Sequence, residues 1–93
     1  MINNVKTRYL LYTEDLGNSD QLSTIVNCYF DGCTFHNGNR GIWQGISEAS
    51  LIIELITDNP QDDKIDSLVN DIKRINSQES VMVITDNVNA KFL

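Results

Sequence analysis

The order in which two apolar periodicities alternate is the feature that most restricts the fold of this chain. Four short runs rich in β-branched and aromatic residues are typical of strands, and they lie at 7–13, 33–44, 49–57 and 80–85. Between the first and second runs, and again between the third and fourth, apolar residues recur every three or four positions, as they do along one face of a helix. The sequence therefore predicts an α+β chain in the order βαββαβ.

The first helical segment follows a polar stretch at 14–18. We expect Asn18 or Ser19 to cap it, because a short polar side chain accepts the unpaired amide hydrogens of a helix start. Gly32 is expected to end the helix, since glycine readily adopts the left-handed conformation that closes helices. The predicted buried stripe consists of Leu22, Ile25, Val26, Tyr29 and Phe30.

The second helical segment is expected to begin at Asn59 and Pro60. Asparagine suits the cap, and the fixed φ of proline suits the first helical position. Asp62 and Asp63 would then face the positive end of the helix dipole, and Lys73 the negative end. The predicted buried stripe consists of Ile65, Leu68, Val69, Ile72 and Ile75.

Two connections leave alternatives open. The segment from 33 to 44 is predicted to form one irregular strand that turns at 45–48, although Asn37-Gly38 is also typical of a tight hairpin turn. The tail from 88 to 92 alternates in polarity and is compatible with a fifth edge strand after a turn at 86–87. Together the elements predict a ferredoxin-like fold in a single domain, 1–93, with an antiparallel sheet and two helices on one of its faces.

Thirteen acidic and seven basic side chains give a net charge of -6. This charge repels phosphate backbones at long range, which argues against non-specific binding to nucleic acid. The longest apolar runs are far shorter than the roughly 20 residues of a membrane span. Cys28 and Cys33 lack the density of secreted disulfide scaffolds. These observations predict a protein of the cytosol with reduced thiols, and no cofactor or metal is predicted because the sequence has no metal-ligand spacing.

Apolar side chains are predicted on both faces of the sheet. Along 49–57 odd and even positions are both apolar, and 9–12 and 81–84 repeat this pattern. Helices cover only one face, and soluble monomers rarely leave a large apolar surface in water. We therefore expect a homodimer or higher oligomer that packs through the second sheet face.

The segment from 36 to 45 is the most unusual one, because it gathers the single histidine and the single tryptophan with glycines, amides and an arginine. Such residues suit ligand recognition: Trp43 offers a stacking surface, Arg40 can meet a phosphate, and amides can read the edge of a base. The competing interpretation is a polar, bulged hairpin with Trp43 in the core or in a subunit contact. The predicted ligand-binding residues are His36, Asn37, Asn39, Arg40, Trp43 and Gln44, with Tyr12 and Arg8 from the first strand.

Catalytic interpretations have weaker support, and no catalytic residue is predicted. Cys33 and His36 lie three apart, so a strand would point them to opposite faces. Glu48 and Glu54 are candidates for an acid and base pair, although Glu54 also suits an arginine across an interface. The aspartates of the second helix are compatible with a nucleic-acid mimic, but charged helix faces are usually solvated.

Segments 29–34, 41–45 and 51–56, with Glu48, resemble small uncharacterised phage and prophage proteins of the same βαββαβ plan. Oligomeric phage proteins of this size are similar to counter-defence sponges, which sequester nucleotide-derived immune signals. The resemblance implies a cytoplasmic, non-enzymatic protein that binds and withholds such a signal as an oligomer. The alternatives are an acidic inhibitor that blocks a host defence nuclease complex and a small ferredoxin-like hydrolase or isomerase.

Overall fold

The secondary-structure elements follow one another in the order βαββαβ, which confirms the predicted ferredoxin-like arrangement. The computed structural model describes residues 4–93. The elements are β1 (Val5–Glu14), α1 (Ser19–Val26), β2 (Thr34–Trp43), β3 (Ile46–Thr57), α2 (Asp62–Asn76) and β4 (Met82–Asn89). The strands pair antiparallel throughout and lie in the order β2-β3-β1-β4. Neither helix of this described part has the length and apolar content needed to cross a membrane.

The core lies between the helices and one face of the sheet. Alternate residues of β1 and β3 point to this face because successive side chains of a strand alternate in direction. Tyr9 pairs with Leu55, and Leu11 pairs with Ile53, across the two central strands, and all four side chains are buried. The helices contribute the buried side chains of Leu22, Val26, Ile65, Leu68 and Ile72.

Helix α1 is shorter than predicted. It ends at Val26, well before Gly32, so the predicted helix stop is wrong. The backbone tightens after the helix, because the amide of Tyr29 donates to the carbonyl of Val26, three residues back, at 2.9 Å. Tyr29 and Phe30 therefore lie in a turn, from which they still pack against the core. Asn18 precedes the helix as predicted, but its side chain does not bond the helix amides.

Helix α2 begins at Asp62, so the predicted start at Asn59 and Pro60 is wrong. The hydroxyl of Tyr9 occupies the helix start: it donates to Asp62 Oδ1 at 2.7 Å and accepts the amide hydrogen of Gln61 at 2.7 Å. A strand residue therefore satisfies a backbone donor that a capping side chain would otherwise bond. The start of α2 is set by a contact between distant parts of the chain.

A hairpin joins β2 to β3 through a turn at Gln44 and Gly45. Both residues have positive φ, 51° and 79°, as the two-residue turns of hairpins require. The pairing register shifts farther back in β2, where Gly38 has a φ of 75°. Strand β2 is thus the irregular strand expected from the sequence, and 37–38 form a bulge rather than a tight turn. The predicted turn at 45–48 starts one residue late and is too long.

The tail extends β4 and does not form a separate strand. Strand β4 continues through Asn89, so the described residues contain four strands and lack the fifth that was considered. Asp86 pairs with Arg8, and Asn87 pairs with Thr7, in the ladder with β1. The segment at 86–87 is therefore strand, because the neighbouring strand supplies its backbone and side-chain partners.

Candidate functional site

The sheet face that the helices leave uncovered is largely apolar. Ile56, Met82 and Ile84 are exposed on this face, and Leu10 and Ile52 are half-buried among them. Apolar side chains therefore occupy both faces of the sheet, as the sequence predicts. Large exposed apolar surfaces are typical of interaction sites. We call the surface formed by these five residues and their neighbours the open face.

A row of four charged or titratable side chains crosses the open face, with one side chain from each strand. In the order of the strands they are His36, Glu54, Arg8 and Asp86. His36 Nε2 lies 3.1 Å from Glu54 Oε1. Arg8 lies 3.6 Å from Glu54 and 2.6 Å from Asp86. The hydrogen bond with Arg8 lowers the pKa of Asp86, and Asp86 raises the pKa of Arg8 in return. We call these four residues the charge row.

A cavity of about 860 Å³ opens at one end of the sheet. Its walls are the end of β1, the β2–β3 hairpin and the connection between α2 and β4. Trp43 is 57 % exposed, so its indole is available to a ligand. The volume is ordinary for a small-molecule site, and an aromatic lining is typical of such sites. We call it the hairpin cavity; its apolar lining comes from Tyr12, Ile42, Trp43, Val81 and Met82.

The polar lining of the hairpin cavity is acidic. Glu14, Glu48 and Glu79 contribute carboxylates, and Gln44 and Gln78 contribute amides. Neither lysine nor arginine is among the lining residues that the structure describes. Carboxylate oxygens accept hydrogen bonds from hydroxyl and amino groups, and they repel phosphate. The cavity therefore suits the sugar and base of a nucleoside better than its phosphates.

A polar network positions Gln78 beside the cavity. The side-chain amide of Asn76 donates to Thr13 Oγ1 at 3.2 Å and to Gln78 Oε1 at 3.1 Å. The Thr13 hydroxyl donates to the same Gln78 oxygen. Asn76 and Thr13 are both buried, so their polar groups depend on each other for partners. Ser77, with a φ of 52°, ends α2 and turns the chain into this network.

The structure brings three of the eight predicted ligand-binding residues to the hairpin cavity, namely Tyr12, Trp43 and Gln44. Arg8 and His36 instead belong to the charge row, nearer the middle of the sheet. The cavity lies at one end of the sheet and the charge row crosses the open face, so they are separate groups of residues.

The other three predicted residues lie on β2 outside the cavity. Arg40 lies three residues before Trp43 and points to the opposite face of the sheet, where its Nε donates to Ser47 Oγ at 2.7 Å. Asn37 is exposed in the bulge, and Asn39 donates to a backbone carbonyl there at 2.7 Å. Their part in ligand binding stays a prediction.

Apart from Tyr12, sequence reasoning missed the lining residues that come from outside the hairpin. They lie far from the hairpin along the chain, and only the strand order β2-β3-β1-β4 brings them to it. The one local signal is the polar run at 77–80 directly after a helix, where functional loops are common. The missed residues include Glu14, Gln78, Glu79 and Met82.

The geometry gives little support to the catalytic alternatives. Cys33 packs against the core, and burial raises the pKa of its thiol, which keeps the sulfur protonated and poorly nucleophilic. His36 lies on the open face and pairs with Glu54. Glu48 and Glu54 are six residues apart on one strand. That separation is roughly 20 Å, which is too long for two groups that act on one bond.

The acidic face of α2 is partly engaged within the chain. Asp71 accepts hydrogen bonds from Tyr29 at 2.5 Å and from Arg74 at 2.8 Å, and Asp62 accepts one from Tyr9. The bond from Tyr29 lowers the pKa of Asp71, and the same bond raises the pKa of Tyr29. This face therefore offers fewer free carboxylates to a partner than the sequence suggests.

Comparison with solved structures finds the same fold in CPII, a nitrogen regulatory PII-like protein from Thiomonas intermedia K12. One structure of CPII, bound to ADP, AMP and bicarbonate, is 10 % identical over 96 % of both chains, with a TM-score of 0.67. A second structure of CPII is 11 % identical over 94 % of this chain and 96 % of that chain, with a TM-score of 0.66. At this identity the likeness shows the fold alone.

Comparisons of the sequence add no family. No protein-family model matches the chain, and no curated protein matches it either. Neither of these two structures is of a phage protein. The resemblance to phage counter-defence proteins therefore stays a prediction.

Proposed function

We propose that this chain is a non-enzymatic protein that binds a small nucleotide-derived molecule in the hairpin cavity. The observation that carries the proposal is that Trp43, Tyr12 and three carboxylates line one cavity of about 860 Å³. Aromatic rings stack with bases, and carboxylates accept hydrogen bonds from sugar hydroxyls and amino groups. The bound ADP and AMP of a protein with the same fold support this ligand class.

The charges of the cavity predict how such a ligand would lie. Its base and sugar would face the carboxylates, and its phosphates would point to solvent or to a cation outside the lining. Arg40 is a candidate for that cation, because it is exposed on the same hairpin and bonds a serine hydroxyl rather than a carboxylate. A second subunit is the other possible source of positive charge.

The role that we propose for binding is sequestration. A protein that holds a ligand without converting it withholds that ligand from its receptor. The resemblance to phage proteins suggests a counter-defence protein of the host cytosol and an immune signal as the ligand. The exposed apolar side chains of the open face support an oligomer, because another copy is the simplest cover for them.

Trp43 provides a direct test because it is the single tryptophan of the chain. Titration with ADP, AMP, ADP-ribose and cyclic dinucleotides should change its fluorescence and give a matching calorimetric isotherm for at least one of them. Trp43→Ala should weaken that affinity about fivefold or more, since stacking of one base contributes about 1–3 kcal/mol. Ile46→Ala is the matched control, because Ile46 pairs with Trp43 across the hairpin without lining the cavity.

Mass spectrometry of the ligand after incubation separates binding from turnover. We expect the ligand to be recovered intact, whereas a converted ligand would favour the hydrolase or isomerase alternative. Absence of binding to every member of the panel would contradict the proposal. Equal weakening by the two variants would contradict the role of Trp43.

A further inference from the structure

The charge row has an order that makes the open face complementary to itself. His36, Glu54, Arg8 and Asp86 follow one another across the sheet. When the imidazole of His36 is protonated, the four charges alternate as plus, minus, plus, minus. Such a row meets opposite charges when it faces its own reversed copy, because the first position faces the fourth and the second faces the third. A copy that is not reversed would place like charges together.

We propose that the open face binds a second copy of this chain through a twofold axis that reverses the charge row. In this dimer Arg8 faces Glu54 of the second copy and His36 faces Asp86 of the second copy, and each pair occurs twice, as in any isologous interface. This inference rests on the proposed function and extends it, because it specifies the oligomer that the proposed function includes. It also removes from water the apolar side chains beside the row, which are Leu10, Ile52, Ile56 and Ile84.

The strand register sets the angle at which the two sheets cross. Arg8 pairs directly with Asp86. On β3, Glu54 lies two residues along the strand from the residue that pairs with Arg8. On β2, His36 lies two residues along the strand from the residue that pairs with Glu54. The row thus advances roughly 13 Å along the strands while it crosses three strand spacings, roughly 14 Å. It runs at about 45° to the strands, so its reversal sets the strands of the two sheets at about 90°, which is one of the two common sheet packings.

His36 links this dimer to pH. With a neutral imidazole each row carries one positive charge, Arg8, and two negative charges, Glu54 and Asp86. Protonation of His36 makes the row neutral and supplies the cation that faces Asp86 of the second copy. Because an uncompensated charge is costly to bury, dimerisation takes up a proton at each His36. Imidazole is the side chain that ordinarily changes charge between about pH 5 and pH 8, and His36 is the single histidine of the chain.

Among the residues that the structure describes, the charged groups near His36 all belong to the row. Strand β3 presents Glu54 to it, and Arg8 of β1 and Asp86 of β4 follow beyond Glu54. The helices lie on the opposite face of the sheet. Lys6, farther along β1, pairs with Asp58 at 2.7 Å, so this pair adds no net charge.

The test uses two charge reversals that complement each other. Arg8→Glu makes the row mainly negative, and Glu54→Arg makes it mainly positive. Each variant alone should therefore associate at least about tenfold more weakly than the unmodified protein. An equimolar mixture should form a heterodimer, which native mass spectrometry identifies by its mass. Rescue on mixing also shows that both variants are folded.

Sedimentation equilibrium between about pH 6 and pH 8 is the second part of the test. The dissociation constant of the unmodified protein should rise with pH, at most about tenfold per pH unit for each histidine, and that of His36→Gln should stay constant. A monomer at both pH values, an oligomer of another size, or variants that do not associate when mixed would overturn the dimer. If the protein binds a nucleotide while it stays a monomer, only the proposed dimer is wrong. If the protein dimerises but binds no nucleotide, only the proposed function is wrong.

Discussion

Tyr9 links the core to the start of α2. Its side chain is buried at 1 % exposure, and its hydroxyl bonds both the Asp62 carboxylate and the Gln61 amide. Burial and the bond to Asp62 both raise the pKa of the phenol, so the hydroxyl stays protonated at neutral pH. One strand residue thus fixes where the second helix begins.

Tyr9→Phe should lower the free energy of unfolding by about 1–2 kcal/mol, because two hydrogen bonds are lost while the ring still fills its place in the core. Urea denaturation measures the change. The control is Tyr12→Phe, since the Tyr12 hydroxyl has no hydrogen bond within the described chain, and its effect should stay below about 0.5 kcal/mol. Equal losses in the two variants would contradict the role of the Tyr9 hydroxyl.

Asp71 should make the stability depend on pH in the acid range. The bonds from Tyr29 and then Arg74 lower the pKa of its carboxyl in the folded state. Its contribution is therefore present above the ordinary carboxyl pKa of about 3.9 and is lost as the pH falls through the lowered value. Asp71→Asn should be less stable at neutral pH and should lose less stability on acidification. Asp66→Asn, on the exposed side of the same helix, is the control: urea denaturation should show a change in stability at neutral pH below about 0.5 kcal/mol.

At the scale of elements, residues with a positive φ determine where α2 and β2 end. Ser77 closes α2 with a φ of 52°, and Gln44 opens the hairpin turn with a φ of 51°. Residues with a Cβ adopt this conformation at a cost, so tertiary contacts must hold it in place. The network of Asn76, Thr13 and Gln78 supplies such contacts at the end of α2.

Ser77→Gly should stabilise the protein by about 0.5–1 kcal/mol, because glycine reaches a positive φ without steric cost. Ser67→Gly is the matched control: it places the same substitution on the exposed face within α2, where it should destabilise by about 0.5 kcal/mol. Thermal unfolding followed by circular dichroism measures both changes. A loss of stability in Ser77→Gly would show that the serine side chain is needed at the helix end.

At the scale of the whole molecule, the two faces of the sheet differ in what covers them. Both helices pack on one face, and Ile56, Met82 and Ile84 remain exposed on the other. A chain of 93 residues buries only a modest core by itself, so a contact through the open face would add to its stability. The charge row and the exposed apolar side chains therefore lie on the same uncovered face of the sheet, and the hairpin cavity lies at the end of the sheet.

Ile84→Lys should increase the monomer fraction at a given concentration without unfolding the protein, because it places a charge in the apolar contact of the open face. Light scattering measures the mass, and far-ultraviolet circular dichroism checks the fold. Leu16→Lys is the control, since Leu16 is similarly exposed but lies in the connection between β1 and α1. A shift of the same size in both variants would contradict association through the open face.

Most of the fold was predictable because its signals are local. The stripe at Ile65, Leu68 and Ile72 predicts α2 from neighbouring residues alone, and these side chains are buried as expected. The boundaries were less predictable, because Tyr9 sets the start of α2 from a distant strand. For the same reason the sequence predicted a ligand-binding role for Trp43 and missed Glu79, which lines the same cavity.

The sequence by itself determined the kinds of elements, their order and the presence of apolar side chains on both sides of the strands. Each of these follows from the spacing of apolar residues over two to four positions. Tertiary structure alone decided which residues meet. The charge row needs one side chain from each of four strands, and the hairpin cavity needs the end of α2 beside a hairpin. Both depend on the strand order β2-β3-β1-β4 and its register, which arise from long-range pairing and core packing and leave no local pattern in the chain.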